Sequence, residues 1–169
     1  EMAIEWDIPN PDTVDLVANY ISEWTQNDDA TEFTFVLREG LKWSDGHPFT
    51  TEDVQFYYDE FYIAEIIARP SAVTLGGEPY ELEIVDELTY TIRFPAPNPL
   101  LPISIAKSTH GSWAGPTMAA PKHYLSQYIP HLTDDESLIE AAIEEHGVET
   151  WQQLVGGDQS NAPISGWYY

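Results

Sequence analysis

Residues 33–54 read FTFVLREGLKWSDGHPFTTEDV, and this stretch decides the fold. Phe33-Thr34-Phe35-Val36-Leu37 alternates as a strand with one buried face alternates. It runs into Arg38-Glu39-Gly40. A second apolar pulse, Leu41-Lys42-Trp43, stops at Ser44-Asp45-Gly46. That tripeptide reads as a tight turn, because Gly tolerates positive φ and Asp bonds its own backbone. His47-Pro48-Phe49 then leads to Thr50-Thr51-Glu52-Asp53-Val54. Thr50 reads as an N-cap with Asp53 at N3, a capping-box arrangement. Strand, turn and capped helix follow one another with little slack.

Working outward, Tyr20 to Thr25 and Thr31 to Arg38 are β-rich runs joined by Gln26-Asn27-Asp28-Asp29-Ala30, which predicts a hairpin. A helix is expected from Thr51 to about Ala68, with Val54, Tyr57, Tyr58 and Phe61 at the helical period and Arg69-Pro70 as its end. Gly76-Gly77-Glu78-Pro79 reads as a break. Tyr80 to Val85 and Thr89 to Phe94 predict a second hairpin about Asp86-Glu87, with Leu82, Ile84, Tyr90, Ile92 and Phe94 on its buried face. Pro95 to Pro99 is a rigid connector. Short helices are expected at Leu100 to Ala106, Pro121 to Tyr128, Asp135 to Glu145 and Glu149 to Val155. Ser108 to Ala119 reads as a long loop, and residues 1–13, with Pro9-Asn10-Pro11-Asp12, as an irregular lead-in. The class is α+β: an antiparallel sheet of at least four strands, built from two hairpins, with helices packed on one face.

A chain of 169 residues can form one packed unit, and six Trp, ten Tyr and six Phe make an aromatic core available. The 29 acidic residues against six basic ones give a formal charge of −23. Nucleic acid is a poor partner for such a chain, since phosphate contacts need clustered Lys and Arg. Two readings of the acidity stand side by side. Dispersed carboxylates keep an exposed protein soluble; alternatively, the surface is adapted to high salt, since only three of the basic residues are Lys. The absence of cysteine excludes disulfides, thiolate nucleophiles and Cys-type zinc sites.

The chain has five histidines, His47, His110, His123, His131 and His146, as candidates for catalysis. None accompanies a Gly-x-Ser-x-Gly elbow or a His-Glu-x-x-His helix. His123 and Ser126 stand three apart on one expected helix, a spacing more often structural than catalytic. Asp28-Asp29 and Asp134-Asp135-Glu136 lack the spacing of a calcium loop and fit a solvated turn and a helix start. No metal ligand set, cofactor or catalytic residue is assigned. Asp45 fits an Asx-type turn, Trp43 packing against the capped helix, and Arg38 a pairing with Glu39 or Asp53 or cover for an apolar edge.

The decisive stretch resembles the family 5 extracellular solute-binding proteins of ABC importers, the receptors for oligopeptides, dipeptides, nickel complexes and some oligosaccharides. The family pattern is a Phe-x-Leu-Arg strand, a Gly-x-x-Trp-Ser-Asp-Gly turn and a Pro-Phe-Thr-x-x-Asp-Val helix start. Phe35, Leu37, Arg38, Gly40, Trp43, Ser44, Asp45, Gly46, Pro48, Phe49, Thr50, Asp53 and Val54 meet it in order. Ile21 to Trp24, Glu83 to Phe94 and Ala120-Pro121-Lys122-His123-Tyr124-Leu125 extend the resemblance over about residues 14 to 128.

The resemblance implies one subdomain of a type II periplasmic binding protein, inserted in the N-terminal lobe, with residues 156–169 returning toward that lobe. The chain is then expected to be a mature or excised fragment of a longer receptor. It implies capture of a peptide or oligosaccharide between hinged lobes, in the periplasm or at the cell surface. The partners are the remaining lobes of the same receptor and ABC permease subunits. The rival class is an acidic extracellular hydrolase or carbohydrate-active domain. The ligand-facing candidates are Trp113 and His110 in the 108–119 loop, and Trp167 near the end of the chain.

Overall fold

The computed structural model describes residues 3–7, 15–64, 74–75, 77–107 and 119–156. The expected first hairpin is strands β3 (Ile21–Gln26) and β4 (Glu32–Leu37), antiparallel. Its turn is held by Asn27, whose Oδ1 accepts from the backbone N–H of Thr31 and of Glu32, both at 2.9 Å. The order Ile-Ser-Glu-Trp breaks strict alternation, and the register shifts between Ile21 and Glu23. This bulge brings Ile21 opposite Leu37 and Trp24 opposite Phe35, both on the core side.

The second hairpin is β7 (Glu81–Ile84) and β8 (Thr89–Arg93). The two hairpins join through their second strands, so the sheet order is β3-β4-β8-β7, antiparallel throughout. Phe33 faces Ile92 and Phe35 faces Tyr90 across the central pair. The Phe35 and Tyr90 rings stack at 5.2 Å, and all four side chains are fully buried. On the other face Thr34 and Thr91 share a 2.8 Å hydroxyl hydrogen bond, and Arg93 bridges Glu32 and Glu83.

Helix α1 spans Thr51–Tyr57. It starts where expected but does not remain an α-helix: Tyr58–Ile63 continues it as a π-helical turn. Within it the consecutive residues Phe61 and Tyr62 are both buried. Tyr62 stacks on Tyr80 at 4.5 Å, and its hydroxyl accepts from the Tyr80 N–H at 3.2 Å. The expected continuation to Ala68 lies outside the described residues.

Two readings are corrected. The lead-in is not irregular throughout: β1 (Ile4–Trp6) pairs antiparallel with β2 (Leu16–Ala18). A three-residue strand of Ile-Glu-Trp is too short to show a period, and its partner begins ten residues later. Nor is the Gly76–Pro79 stretch only a break. β5 (Thr74–Leu75) and β6 (Glu78–Pro79) form a small hairpin, with Gly77 at φ +88.

The remaining helices are α2 (Leu101–Lys107), α3 (Lys122–Leu125) followed by a 3-10 turn Ser126–Tyr128, α4 (Glu136–His146) and α5 (Trp151–Val155). Asp135 caps α4, Gly147 closes it in the left-handed region at φ +65, and Thr150 caps α5. The class is α+β, with a four-stranded antiparallel sheet and helices.

Candidate functional site

Two of the segments singled out by sequence, 38–54 and 120–125, meet at one junction. The turn comes first. Gly46 N–H donates to Trp43 C=O at 2.9 Å, and Trp43 N–H donates to His47 C=O at 2.9 Å. Asp45 Oδ1 accepts the His47 N–H at 3.0 Å, the expected Asx turn. Gly46 takes φ +90, a conformation a side chain would strain. The flanking residues Lys42 and Pro48 form an antiparallel bridge, which sends the chain straight into the helix cap.

Asp53 then does more than close the capping box. Its Oδ2 accepts from Thr50 N–H at 3.1 Å and from the Trp43 indole Nε1–H at 3.0 Å. Its Oδ1 accepts from the backbone N–H of Lys122 at 3.0 Å, and its own carbonyl accepts from Ala120 N–H at 3.1 Å. The residue is 4% exposed. One buried carboxylate thus ties the turn, the helix start and the Pro121-Lys122-His123-Tyr124 segment together. Trp43 is 3% exposed and lies 4.9 Å from the Phe49 ring, as expected for a packing anchor.

The surface of the junction is polar. His123 Nε2 and Asp45 Oδ2 are 2.7 Å apart, and the His123 ring stacks on His47 at 3.8 Å with 6° between planes. Lys122 Nζ pairs with Glu52 at 2.9 Å, and His131 Nε2 with Glu60 at 2.9 Å. The Asp45 carboxyl is held below the usual aspartate range by the His47 N–H first and by His123 second. Glu52 is lowered by Lys122. An open groove of about 730 Å³ runs past His47, Glu52, Lys122 and His123, with Thr50, Thr51, Ile84, Asp86, Glu87 and Ser126 in its wall. The β7–β8 turn forms one side of it: Asp86 C=O accepts the Thr51 hydroxyl at 2.7 Å, and Glu87 C=O accepts the Thr51 N–H at 3.0 Å. His123 therefore engages Asp45, and its spacing from Ser126 makes no dyad.

Arg38 departs from its expected carboxylate pairing. Its guanidinium donates to the backbone carbonyls of Asn19 through Nε and of Ala18 through Nη2, the latter at 3.1 Å. Asp53 already accepts three N–H donors, and two carbonyls at the end of β2 suit the guanidinium fork. Gly40 takes φ +79 in the turn after β4. The ligand-facing candidates Trp113, His110 and Trp167 all lie outside the described residues. Sequence reading found the members of the junction but not that Asp53 reaches the 120–122 backbone. Main-chain N–H donors carry no residue signature, so nothing in the sequence marks that contact.

The fold recurs in proteins that bind solutes. The oligopeptide-binding protein OppA superposes with a TM-score of 0.69 at 29% identity, over 89% of this chain and 22% of that one. A putative peptide-binding protein AppA from Clostridium difficile superposes at 0.54 with 27% identity, over 72% of this chain and 22% of its own. The periplasmic alpha-galactoside-binding protein of Rhizobium meliloti (strain 1021) is 29% identical over 63% of this chain and 18% of its own length. The chain thus spans about a fifth of the length of these relatives. Residues 15–152 match the model of the bacterial extracellular solute-binding proteins, family 5 Middle, and the chain belongs to that family.

Proposed function

We propose that this chain is the middle part of a substrate-binding receptor of an ABC importer. The receptor captures a peptide or an oligosaccharide outside the cytoplasm and hands it to a membrane permease. The observation that carries the reading is the family match over residues 15–152, which contain both the four-stranded sheet and the junction at Asp53. Relatives named for oligopeptides and for alpha-galactosides support a ligand of one of those two kinds.

The part played by these residues is mechanical. The Asp53 junction fixes the start of α1 and the 120–125 segment on the sheet, so the unit moves as one piece when the lobes of the receptor close on ligand. It is non-catalytic and belongs to the N-terminal lobe. Any ligand contact within it comes from Trp113, His110 or Trp167.

Calorimetric titration of the intact receptor with short peptides and with alpha-galactosides tests this. Saturable binding of one class, without turnover, is the expected result. A folded receptor that binds neither class, or one that hydrolyses them, would overturn it. The 169-residue unit on its own should bind neither tightly, because it cannot enclose a ligand between lobes.

A further inference from the structure

The turn carries a reactive dipeptide that the solute-binding reading leaves unused. Asp45-Gly46 is the one Asp-Gly pair in the sequence, and Asn-Gly does not occur. An aspartyl carboxyl and the amide nitrogen that follows it can close a five-membered ring. Glycine in second place leaves that nitrogen unshielded, since it has no Cβ. Gly46 N forms a bond to Asp45 Cγ, and the amide proton leaves with the carboxyl hydroxyl as water. Water then reopens the succinimide at either carbonyl. Addition at Cγ restores aspartate. Addition at the backbone carbonyl gives isoaspartate, in which the chain runs through Cβ and Cγ. No other reactant is needed, and the final mass is that of the starting chain. The Asp45 side chain is 53% exposed, so water reaches it.

The folded junction opposes each requirement of ring closure. The nucleophile is committed: Gly46 N–H donates to Trp43 C=O at 2.9 Å. The carboxyl is held by both oxygens, Oδ1 by the His47 N–H at 3.0 Å and Oδ2 by His123 Nε2 at 2.7 Å. The His123 ring is itself stacked on His47 at 3.8 Å with 6° between planes. Ring closure starts from the neutral carboxyl, because its hydroxyl leaves as water and not as hydroxide. The same two contacts hold Asp45 in the ionised form. The Trp43 and His47 bonds belong to the turn and are made within three residues. The His123 contact spans 78 residues and exists only while the 120–125 segment lies against the turn.

We propose that Asp45-Gly46 is a self-modification site, and that His123 keeps it closed while the junction is assembled. Each opening that carries His123 away from Asp45 exposes the pair, so isoaspartate at position 45 accumulates as a record of junction opening. The product does not re-form the turn. Its backbone is one atom longer and its free carboxylate hangs from Cα, so the Asx bond to the His47 N–H and the His123 contact are lost together. The proposal is independent of the solute-binding reading, because it concerns the chain with or without a ligand.

The test is incubation of the chain in warm neutral buffer over several weeks. Isoaspartate is counted by labelling with an isoaspartyl methyltransferase and located by electron-transfer fragmentation of the peptide that contains Asp45. Unfolding the chain in guanidinium chloride removes all three hydrogen bonds and should speed isomerisation about a hundredfold. His123→Ala, in a chain whose circular dichroism matches the parent, should speed it about three- to tenfold. His123→Asn is a polar alternative too short to reach Oδ2 and should match the Ala rate. His123→Gln keeps an N–H donor for Oδ2 and should fall between parent and Ala. A folded parent that isomerises at position 45 as fast as the unfolded chain overturns the proposal. So does a folded His123→Ala or His123→Asn chain at or below the parent rate. An equal rate would leave the protection to the turn alone, and a lower one would make His123 an acid catalyst of ring closure.

Discussion

Replacing Asp53 by Ala should be among the most damaging single substitutions in the described structure. The carboxylate accepts three hydrogen bonds, from Thr50 N–H, Trp43 Nε1–H and Lys122 N–H. The first is the helix cap, worth about 1 kcal/mol. The other two join segments 10 and 69 residues away. Each leaves a donor without its partner when the carboxylate is removed, at about 1–3 kcal/mol apiece. The sum is roughly 3–5 kcal/mol after allowing for relaxation. For a chain of this size that lowers Tm by roughly 10 °C. Asp53→Asn retains one oxygen, which can serve the Trp43 and Thr50 donors, but it turns an amide NH₂ toward Lys122 N–H. Its loss should be about half as large. Urea unfolding gives both values, and the Trp43 indole N–H resonance in a nitrogen-correlated spectrum reports the bond directly. A loss below about 1 kcal/mol for Asp53→Ala would match a simple helix cap. It would refute the view that this side chain holds the 120–125 segment in place.

Other expectations follow from the same geometry. Asp45 has a folded-state pKa below the ordinary aspartate range because of the His47 N–H and His123. Its contribution is therefore complete above about pH 4 and is lost as pH falls through the folded value. Urea midpoints at pH about 5 and about 3 should differ more for the parent than for Asp45→Asn, and equal differences would remove Asp45 from the acid response. Arg38→Ala should cost about 1–2 kcal/mol by freeing the Ala18 and Asn19 carbonyls, and Arg38→Lys should recover only part of it. Chemical denaturation of the two variants decides, with full recovery by Lys as the refuting result. Burial pushes the Tyr20 and Tyr80 hydroxyls well above the usual tyrosine range. In an ultraviolet titration these two should ionise only when alkali unfolds the chain, and a reversible titration of all tyrosines in the folded state would contradict this.

Local chemistry made much of this protein legible from sequence. β4 follows from alternation, since a strand with one wet face places apolar side chains at every second residue. The Ser44–Gly46 turn and the Thr50–Asp53 cap follow from side chains that bond backbone within three residues, where sequence distance equals spatial distance. The family resemblance rested on these same residues. Other features were set by contacts that sequence order does not display. The β4–β8 pairing joins two hairpins across more than fifty residues, and only the shared core face of Phe33, Phe35, Tyr90 and Ile92 selects it. The π-helical turn at Tyr58–Ile63 lies where Tyr58 and Tyr62 both pack on Tyr80, more than fifteen residues along the chain. Short strands such as Ile4–Trp6 gain their identity only from a partner. Asp53 carries both lessons: its bond to Thr50 N–H was readable because it is local. Its bond to Lys122 N–H was not, because a backbone donor looks the same at every residue and only the folded chain says which one arrives.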